Sequence, residues 1–347
     1  MGDGERVWMT PWEIKDAIQA GSADASKRAE IPELTAEEQE QLYAIMADPS
    51  RIVSVRPGEE AIVTDDGCSM SFYSGQDGGG VGTPMSRMQA VLTYERACGA
   101  DTTSLGHSDY SYKSVKPIVN FEANEYYNIS QVATAPFFYG AQPNLGLYFQ
   151  PDGPCPNAAE LMPQGNLEEA RKAQEQAADY LTNDLVFVGK KLAEVGLEGL
   201  NFDTCGSGGD ADFLAALRAV EALKKDLPDL PLVMGGSGEF IIGMHGELNY
   251  NGQRLAGMYP PDQAKAVQIA GADIFGMAVN TVTTESVSWN LARAVTYLKA
   301  TTEAVSIPVH ANVGMGVCGV PMMEQPPIDS VTRVSKTLVQ IGKADGL

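Results

Sequence analysis

The stretch LNFDTCGSGGD (residues 200–210) contains the clearest transition from a strand to a helix in this chain. Residues 200–203 form a short, mostly apolar run, a glycine-rich segment follows, and a helical pattern extends from Asp210 to residue 227. Short apolar runs of this kind are typical of strands in a parallel sheet that helices cover on both faces. Because the same succession recurs along the chain, the sequence predicts an α/β fold.

Two kinds of strand opening recur from residue 98 onward. One has glycine before an acid, as in GLE (196–198) and GAD (271–273), where glycine can end the preceding helix in the left-handed conformation. The other has proline before two apolar residues, as in PLV (231–233), because proline is tolerated at the first position of a strand. Between these openings lie helical patterns over residues 166–194, 210–227, 262–270, 288–304 and 327–341. Paired units repeat at about 75 residues, which favours a TIM (β/α)8 barrel over a doubly wound sheet.

The predicted strands begin near residues 101, 117, 134, 200, 232, 274 and 309. The last three residues, DGL (345–347), repeat the opening EGL (198–200) of the fourth strand and predict the start of an eighth. We therefore expect residues 98–347 to form an incomplete (β/α)8 barrel that is truncated at the start of its eighth strand. A natural seven-stranded or distorted barrel is the alternative.

Residues 1–97 are expected to form a helical or irregular N-terminal extension. The segments TPWE (10–13) and TAEE (35–38) are capping boxes, which predict the starts of two helices. The run 20–28 is small and polar and predicts a break between them. The glycine-rich stretch 74–84 predicts a mobile loop, because it does not join a strand to a helix as a dinucleotide-binding loop must.

Charge and composition exclude several classes of partner. The chain has 347 residues, with 45 acidic and 24 basic side chains and a net charge of −21. Such a charge opposes binding to nucleic acid and to anionic membrane surfaces. The sequence has neither a long apolar run nor a signal-peptide pattern, which predicts a cytoplasmic protein. Its five cysteines include no C-x-x-C pair and fit reduced thiols.

Polar residues stand at the ends of the predicted strands, where the chemistry of a barrel gathers. They are Asp203, Glu239, Asn280 and His310. The carboxylates of Asp203 and Glu239 could pair with a small cation. Alternatively, each acid caps the helix that follows, and His310 is a structural residue within its strand.

Two other sites are conceivable. Cys205, His310 and Cys318 lie near predicted strand ends and could hold zinc, although their spacing gives no support for it. The glycine-rich loops could bind phosphate through backbone N–H groups, as in a barrel enzyme acting on a small phosphorylated substrate. Few Lys or Arg residues accompany these glycines, so a dianion would be poorly neutralised.

Long segments of the chain are specific enough to indicate a family. They are SGQDGGGVGTPMSR (74–87), ERACGADTTSLGHSDYSYKSVKP (95–117), FYGAQPNLGLYFQPDGP (138–154), GMHGELNYNGQRLAGMYP (243–260), SWNLARAVTYLKA (288–300) and GMGVCGVPMMEQPPIDSVTRVSK (314–336). These segments resemble the dimethylamine methyltransferase family of methanogenic archaea, and the resemblance covers nearly the whole chain.

The resemblance implies a (β/α)8-barrel enzyme that transfers a methyl group from dimethylamine to the Co(I) centre of a cognate corrinoid protein. Monomethylamine is released, as a step of methanogenesis from methylamines. The resemblance also implies a pyrrolysine, encoded by an in-frame amber codon after an Asp-Gly-aliphatic step, and here that step is DGL (345–347). Pyrrolysine is therefore expected immediately after Leu347. The partner protein carries the corrinoid, no cofactor binds this chain directly, and a homo-oligomer is expected at full length.

In this interpretation, Asp203 and Glu239 handle protons and recognise the ammonium group, while Asn280 and His310 surround the site. A chain that stops at Leu347 is expected to lack transfer activity, because no standard side chain offers a stable electrophile for an amine. The alternative is a truncated, non-catalytic product that binds a partner protein.

Overall fold

A computed structural model gives the structure of this chain. It describes residues 1–53, 145–197, 199–243, 247–314, 316–323 and 326–347, several residues between 55 and 65, and the backbone of 104–106 and 138–141. The chain divides into two compact units. The first comprises Met1–His107, Ile118–Pro136 and Met277–Leu347, and the second comprises Ser108–Pro117 and Phe137–Gly276. The predicted boundary between residues 97 and 98 lies outside the described residues.

The described strands are short. In chain order they are β1 (Val63–Asp65), β2 (Ser104–Gly106), β3 (Phe138–Ala141), β4 (Gly199–Cys205), β5 (Leu232–Gly236), β6 (Asn249–Tyr250), β7 (Gln253–Arg254), β8 (Ile274–Met277) and β9 (Val309–Ala311). The strands β1 and β2 pair in parallel, and β6 and β7 form an antiparallel hairpin.

The described helices alternate with the later strands. They are α1 (Pro11–Ala29), α2 (Ala36–Ala47), α3 (Ala158–Leu161), α4 (Leu167–Glu194), α5 (Asp210–Asp226), α6 (Pro260–Ala270), α7 (Val287–Ala304) and α8 (Ile328–Gln340). Two 3-10 turns, Leu145–Tyr148 and Met162–Gln164, lie on either side of α3.

A parallel sheet in the order β3-β4-β5-β8 forms the core of the second unit. Leu200 of β4 lies opposite Leu232 of β5, and Val233 lies opposite Ile274 of β8. Leu200, Leu232 and the neighbouring Phe202 are completely buried. Since strands covered on both faces have no solvent side, they are apolar along their length, as the sequence predicts.

Close helix packing in the second unit depends on small residues. Gly189 of α4 lies so near α5 that an added Cβ would come within 2.8 Å of the Leu223 side chain. The helix α6 begins with Pro260 and ends at Gly271, whose φ of 96° is left-handed. That geometry is the one predicted from the GAD opening (271–273).

In the first unit, α1 and α2 begin with the capping boxes predicted at Thr10 and Thr35. The predicted break over residues 20–28 is wrong, because α1 continues to Ala29. The small side chains of this run form a packing surface. Gly21 lies against the backbone of Trp289 in α7, and the buried Ser22 hydroxyl accepts a hydrogen bond from Thr296 at 3.0 Å.

The end of the chain pairs in parallel with β9. The Asp345 N–H donates to the Val309 carbonyl at 2.9 Å, and the Ala311 N–H donates to the Gly346 carbonyl at 3.0 Å. His310 and Gly346 are bridge partners. This pairing agrees with the prediction that DGL (345–347) opens a strand.

The structure confirms an α/β fold with a parallel sheet, and its later helices lie where the sequence predicts them. The strand predicted near residue 117 and the loop predicted at 74–84 lie outside the described residues. A complete or truncated (β/α)8 barrel therefore stays a prediction. Within the described part of the chain, no helix is both long enough and apolar enough to span a membrane.

Candidate functional site

The strand β4 ends in a distorted segment that contains Asp203. Its pairing register with β5 shifts between Phe202 and Cys205, and Thr204 has a left-handed φ of 51°. A β-branched residue rarely adopts positive φ, and such strain is concentrated at functional sites. Asp203 is partly buried, and its Oδ1 accepts a hydrogen bond from the Thr204 N–H at 2.8 Å. Asp203 therefore lies at the end of the strand, as predicted, and the surrounding fold must stabilise the strained backbone at Thr204 beside it.

The loop of residues 206–209 follows, and one carboxyl group holds it. Asp212 Oδ2 accepts a hydrogen bond from the Gly208 N–H at 2.5 Å. Gly206 and Gly209 have φ values of 90° and 104°, which glycine adopts without a steric penalty. The loop is thus bound to the Asp212 side chain through Gly208, while the buried Asp212 Oδ1 has no hydrogen-bond partner among the described residues.

The first turn of α5 is acidic and buried. Asp210 is 1% exposed and Asp212 is not exposed at all. Burial raises the pKa of Asp212 to about 7, the hydrogen bond from Gly208 opposes this shift, and the charge of Asp210 adds to it. Burial also raises the pKa of the Cys205 thiol well above its ordinary value, and Asp212 and Asp203 raise it further. Near neutral pH, the site therefore holds a neutral thiol and an acid that is partly protonated.

The turn after β5 lies against the turn after β4. The Ser237 N–H donates to the Cys205 carbonyl at 3.1 Å. Glu239 comes two residues later and is partly buried. The buried Gln263 side chain donates to the Gly238 carbonyl at 3.3 Å and so holds the backbone beside Glu239. Asp203 and Glu239 consequently follow neighbouring strands whose terminal turns are in contact.

Apolar side chains border this acidic end of the sheet. Phe240 and Ile242 are 43% and 62% exposed, and the Phe240 ring lies 6.2 Å from the Tyr259 ring, centroid to centroid. A Cβ added to Gly209 would lie 2.8 Å from the Ile242 carbonyl, so the loop after β4 approaches the segment after Glu239 closely. Exposed apolar side chains therefore lie beside the turn that carries Glu239.

The other two predicted residues belong to the first unit. Asn280 is exposed, its backbone bridges to Val317, and its carbonyl accepts a hydrogen bond from Arg293 Nη1 at 3.4 Å. His310 is partly buried in β9, where it pairs with Gly346. The roles assigned to all four predicted residues stay predictions.

Sequence reasoning missed Asp212. An acid in the first turn of a helix is common because it interacts favourably with the helix dipole, so its type and position alone give no sign of burial. The one sequence feature that could have indicated a buried acid is the glycine-rich segment before α5, because small residues leave room for a side chain beneath them. The two other histidines of the chain, His107 and His245, lie outside the described residues. Among the described side chains, no group of three His, Cys, Asp or Glu residues could hold a metal ion, so the zinc alternative gains no support.

The model of the dimethylamine methyltransferase family matches residues 1–347. The chain belongs to this family. It is therefore a methyltransferase enzyme of methylamine metabolism, and the family supports methyl transfer from dimethylamine. Within a dimethylamine methyltransferase, the acidic strand ends with their apolar border are the candidate amine site of the second unit.

Proposed function

We propose that this enzyme transfers a methyl group from dimethylamine to the Co(I) centre of a cognate corrinoid protein and releases monomethylamine. The match of the whole chain to the dimethylamine methyltransferase family carries the proposal. The acidic end of the sheet supports it, because dimethylamine is a cation at neutral pH and carboxylates attract it. We place the reaction in the cytoplasm and expect the full-length enzyme to be a homo-oligomer.

In this proposal, Asp203 and Glu239 bind the ammonium group and accept its proton. A carboxylate has several acceptor positions, so Asp203 can hold the Thr204 N–H and also accept an N–H of the substrate. Glu239 is partly buried on the neighbouring turn, and its carboxylate can accept a second N–H of the ammonium group. Phe240 and Ile242 exclude water around the methyl groups.

We also propose that pyrrolysine follows Leu347. This residue supplies an electrophilic imine carbon, to which an amine can add. The pairing at the end of the chain is compatible with it, because Asp345 and Gly346 run beside β9 in parallel. In the register of His310 with Gly346, the residue after Leu347 lies next to Asn312. The side chain of that residue would lie on the same face of the strands as His310.

Mass spectrometry of the enzyme from its native source tests the pyrrolysine directly. We expect a peptide that contains residues 345–347 and continues with a residue of the mass of pyrrolysine. A native protein whose C-terminal residue is Leu347 would instead support the short, non-catalytic product.

Activity tests the rest of the proposal. Full-length enzyme made by amber suppression is mixed with the reduced corrinoid protein and dimethylamine, and methylation of cobalt is followed by absorbance. We expect turnover with dimethylamine, slower turnover with mono- and trimethylamine, and none with a control chain ending at Leu347. Cobalt methylation by that control chain would refute the proposed role of pyrrolysine.

The phosphate-binding alternative is disfavoured by the start of α5. A phosphate bound by the glycine-rich loop would lie against the N-terminus of this helix. There, Asp210 and Asp212 are buried, and the Asp212 carboxyl group already accepts the N–H of Gly208. A dianion would compete with these carboxyl groups for the same donors.

A further inference from the structure

The carboxyl group of Asp212 lies beneath the turn after β4 and is hydrogen-bonded to it. It is fully buried, and its Oδ2 accepts a hydrogen bond of 2.5 Å from the Gly208 N–H of the loop of residues 206–209. The loop has few other internal hydrogen bonds among the described residues. The Gly209 N–H donates to the Gly206 carbonyl at 3.0 Å, and the Ser207 N–H donates to the Thr204 carbonyl at 3.3 Å. The second bond connects the loop to the strained residue next to Asp203.

The loop is connected to the Asp203 carboxylate through Thr204. Thr204 has a φ of 51°, which is unfavourable for a β-branched residue unless surrounding contacts hold it. The Thr204 N–H in turn donates to Asp203 Oδ1. If the loop relaxed, Thr204 could return to an ordinary conformation, and the carboxylate of Asp203 would lose this orienting bond.

We propose that Asp212 is a positioning residue for amine binding, which holds the loop of residues 206–209 and thereby orients Asp203 through Thr204. The proposal rests on the proposed function, in which Asp203 binds the ammonium group. Asp212 itself does not touch substrate. Because it acts as a hydrogen-bond acceptor, a neutral side chain of the same shape should replace it, whereas a shorter apolar one should not.

Three variants of the full-length enzyme separate these possibilities. Asp212→Ala removes the acceptor, and Asp212→Asn keeps an acceptor oxygen of similar position without the charge. Gly208→Ala leaves Asp212 in place but puts a Cβ within 2.8 Å of its Oδ2, which disturbs the contact from the loop side. Asp226→Asn, at the exposed end of the same helix, is the matched control, because Asp226 pairs with Lys190 far from the loop.

Hydrogen exchange measures the loop without reference to catalysis. In Asp212→Ala, amides of the peptide covering residues 204–213 should exchange about tenfold faster, because the Gly208 N–H loses its acceptor and the loop is released. Gly208→Ala should show a smaller increase in the same peptide. Asp212→Asn keeps the acceptor and should exchange no faster than the parent enzyme, and the Asp226→Asn control should exchange like the parent within about twofold.

Kinetics measure the consequence for the amine. In Asp212→Ala, KM for dimethylamine should rise about tenfold or more, with a smaller change in kcat, because substrate orientation is disturbed. Asp212→Asn should restore KM to within about twofold of the parent value. Unchanged exchange in Asp212→Ala would overturn the proposal, as would faster exchange with an unchanged KM, or an Asn variant that behaves like Ala.

The proposed function can fail separately. If the parent enzyme methylates no cobalt with dimethylamine, the proposed function is wrong, and the kinetic part of this inference fails with it. The exchange data then still decide whether Asp212 holds the loop. If Asp212→Ala does not fold, Gly208→Ala supplies both measurements in a chain that retains the buried acid.

Discussion

At the starts of both α1 and α5 a carboxyl group accepts a backbone N–H, but its pKa is lowered in α1 and raised in α5. Glu13 and Asp212 both occupy the third position of their helix and accept backbone N–H groups of the preceding turn. Hydrogen bonds from Thr10 lower the pKa of the exposed Glu13, whereas burial raises the pKa of Asp212 to about 7. The comparison shows that solvent exposure, and not the hydrogen-bond pattern, decides whether the ionised carboxylate of such an acid stabilises or destabilises the folded state.

The largest effect is expected for Asp212→Asn. Because the pKa of Asp212 is about 7 in the folded chain against an ordinary value of 3.8, the folded state binds more protons between these values. Stability therefore falls as the pH rises from about 4 to about 7 and is lowest above that range. Removing the charge should stabilise the chain by up to about 4 kcal/mol at about pH 8 and should have little effect at about pH 4.

Urea unfolding of the parent and the variant across this pH range measures that difference. Asp226→Asn on the same helix provides the control, since hydrogen bonding and pairing with Lys190 lower the pKa of the exposed Asp226. The control should show no gain at high pH. If the stability of Asp212→Asn depends on pH in the same way as that of the parent, burial does not determine the pKa of Asp212.

A second, smaller change is expected for Asp210→Asn. The charge of Asp210 contributes to the raised pKa of Asp212. Without it, the pKa of Asp212 should fall toward its ordinary value, and the stability at about pH 8 should rise by less than in Asp212→Asn. A carboxyl carbon titration by NMR gives the pKa of Asp212 directly. An unchanged pKa would assign the whole shift to burial and none to the neighbouring charge.

The two helix starts also differ in how well the sequence predicts them. The capping boxes at Thr10 and Thr35 involve residues three positions apart, so local spacing alone identifies them, and the structure confirms both. The start of α5 at Asp210 was also predicted. The burial of Asp212 could not be, because it depends on packing with parts of the chain distant in sequence.

The candidate site shows the same limit. Apolar runs and terminal glycines were enough to predict β4, β5 and the helices that follow them. The register shift after Phe202 and the left-handed Thr204 arise from pairing between strands that are about 30 residues apart, and no local pattern encodes them. The break predicted at 20–28 failed for a related reason, since small residues suited to a linker are equally suited to close helix packing.

A third prediction concerns the exposed helix starts. Thr10→Ala removes the side chain that caps α1, and Thr35→Ala does the same for α2. Each should cost about 1 kcal/mol of stability, as is usual for the loss of a capping side chain. Thermal unfolding of the two single variants and of Thr10→Ser, which retains a hydroxyl, measures this. A loss in Thr10→Ser as large as that in Thr10→Ala would show that the methyl group, and not the cap, stabilises the helix.

The smallest change in stability is expected for Glu13→Gln, and its direction with pH is more informative than its size. The hydrogen bonds from Thr10 lower the pKa of Glu13 below its ordinary value of 4.5, so the folded state binds fewer protons than the unfolded state. The stability contributed by Glu13 is therefore present above about pH 4.5 and is lost as the pH falls through the lowered pKa.

Glutamine can keep the contact with Thr10 but cannot titrate. The variant should therefore lose the pH dependence of stability on the acid side, and the fall in stability between about pH 4 and about pH 7, which Asp212 causes, should not change. Melting temperatures in steps of about half a pH unit resolve the two regions. If Glu13→Gln instead altered the slope near neutral pH, the two helix starts would be electrostatically coupled, and exposure could no longer account for their difference.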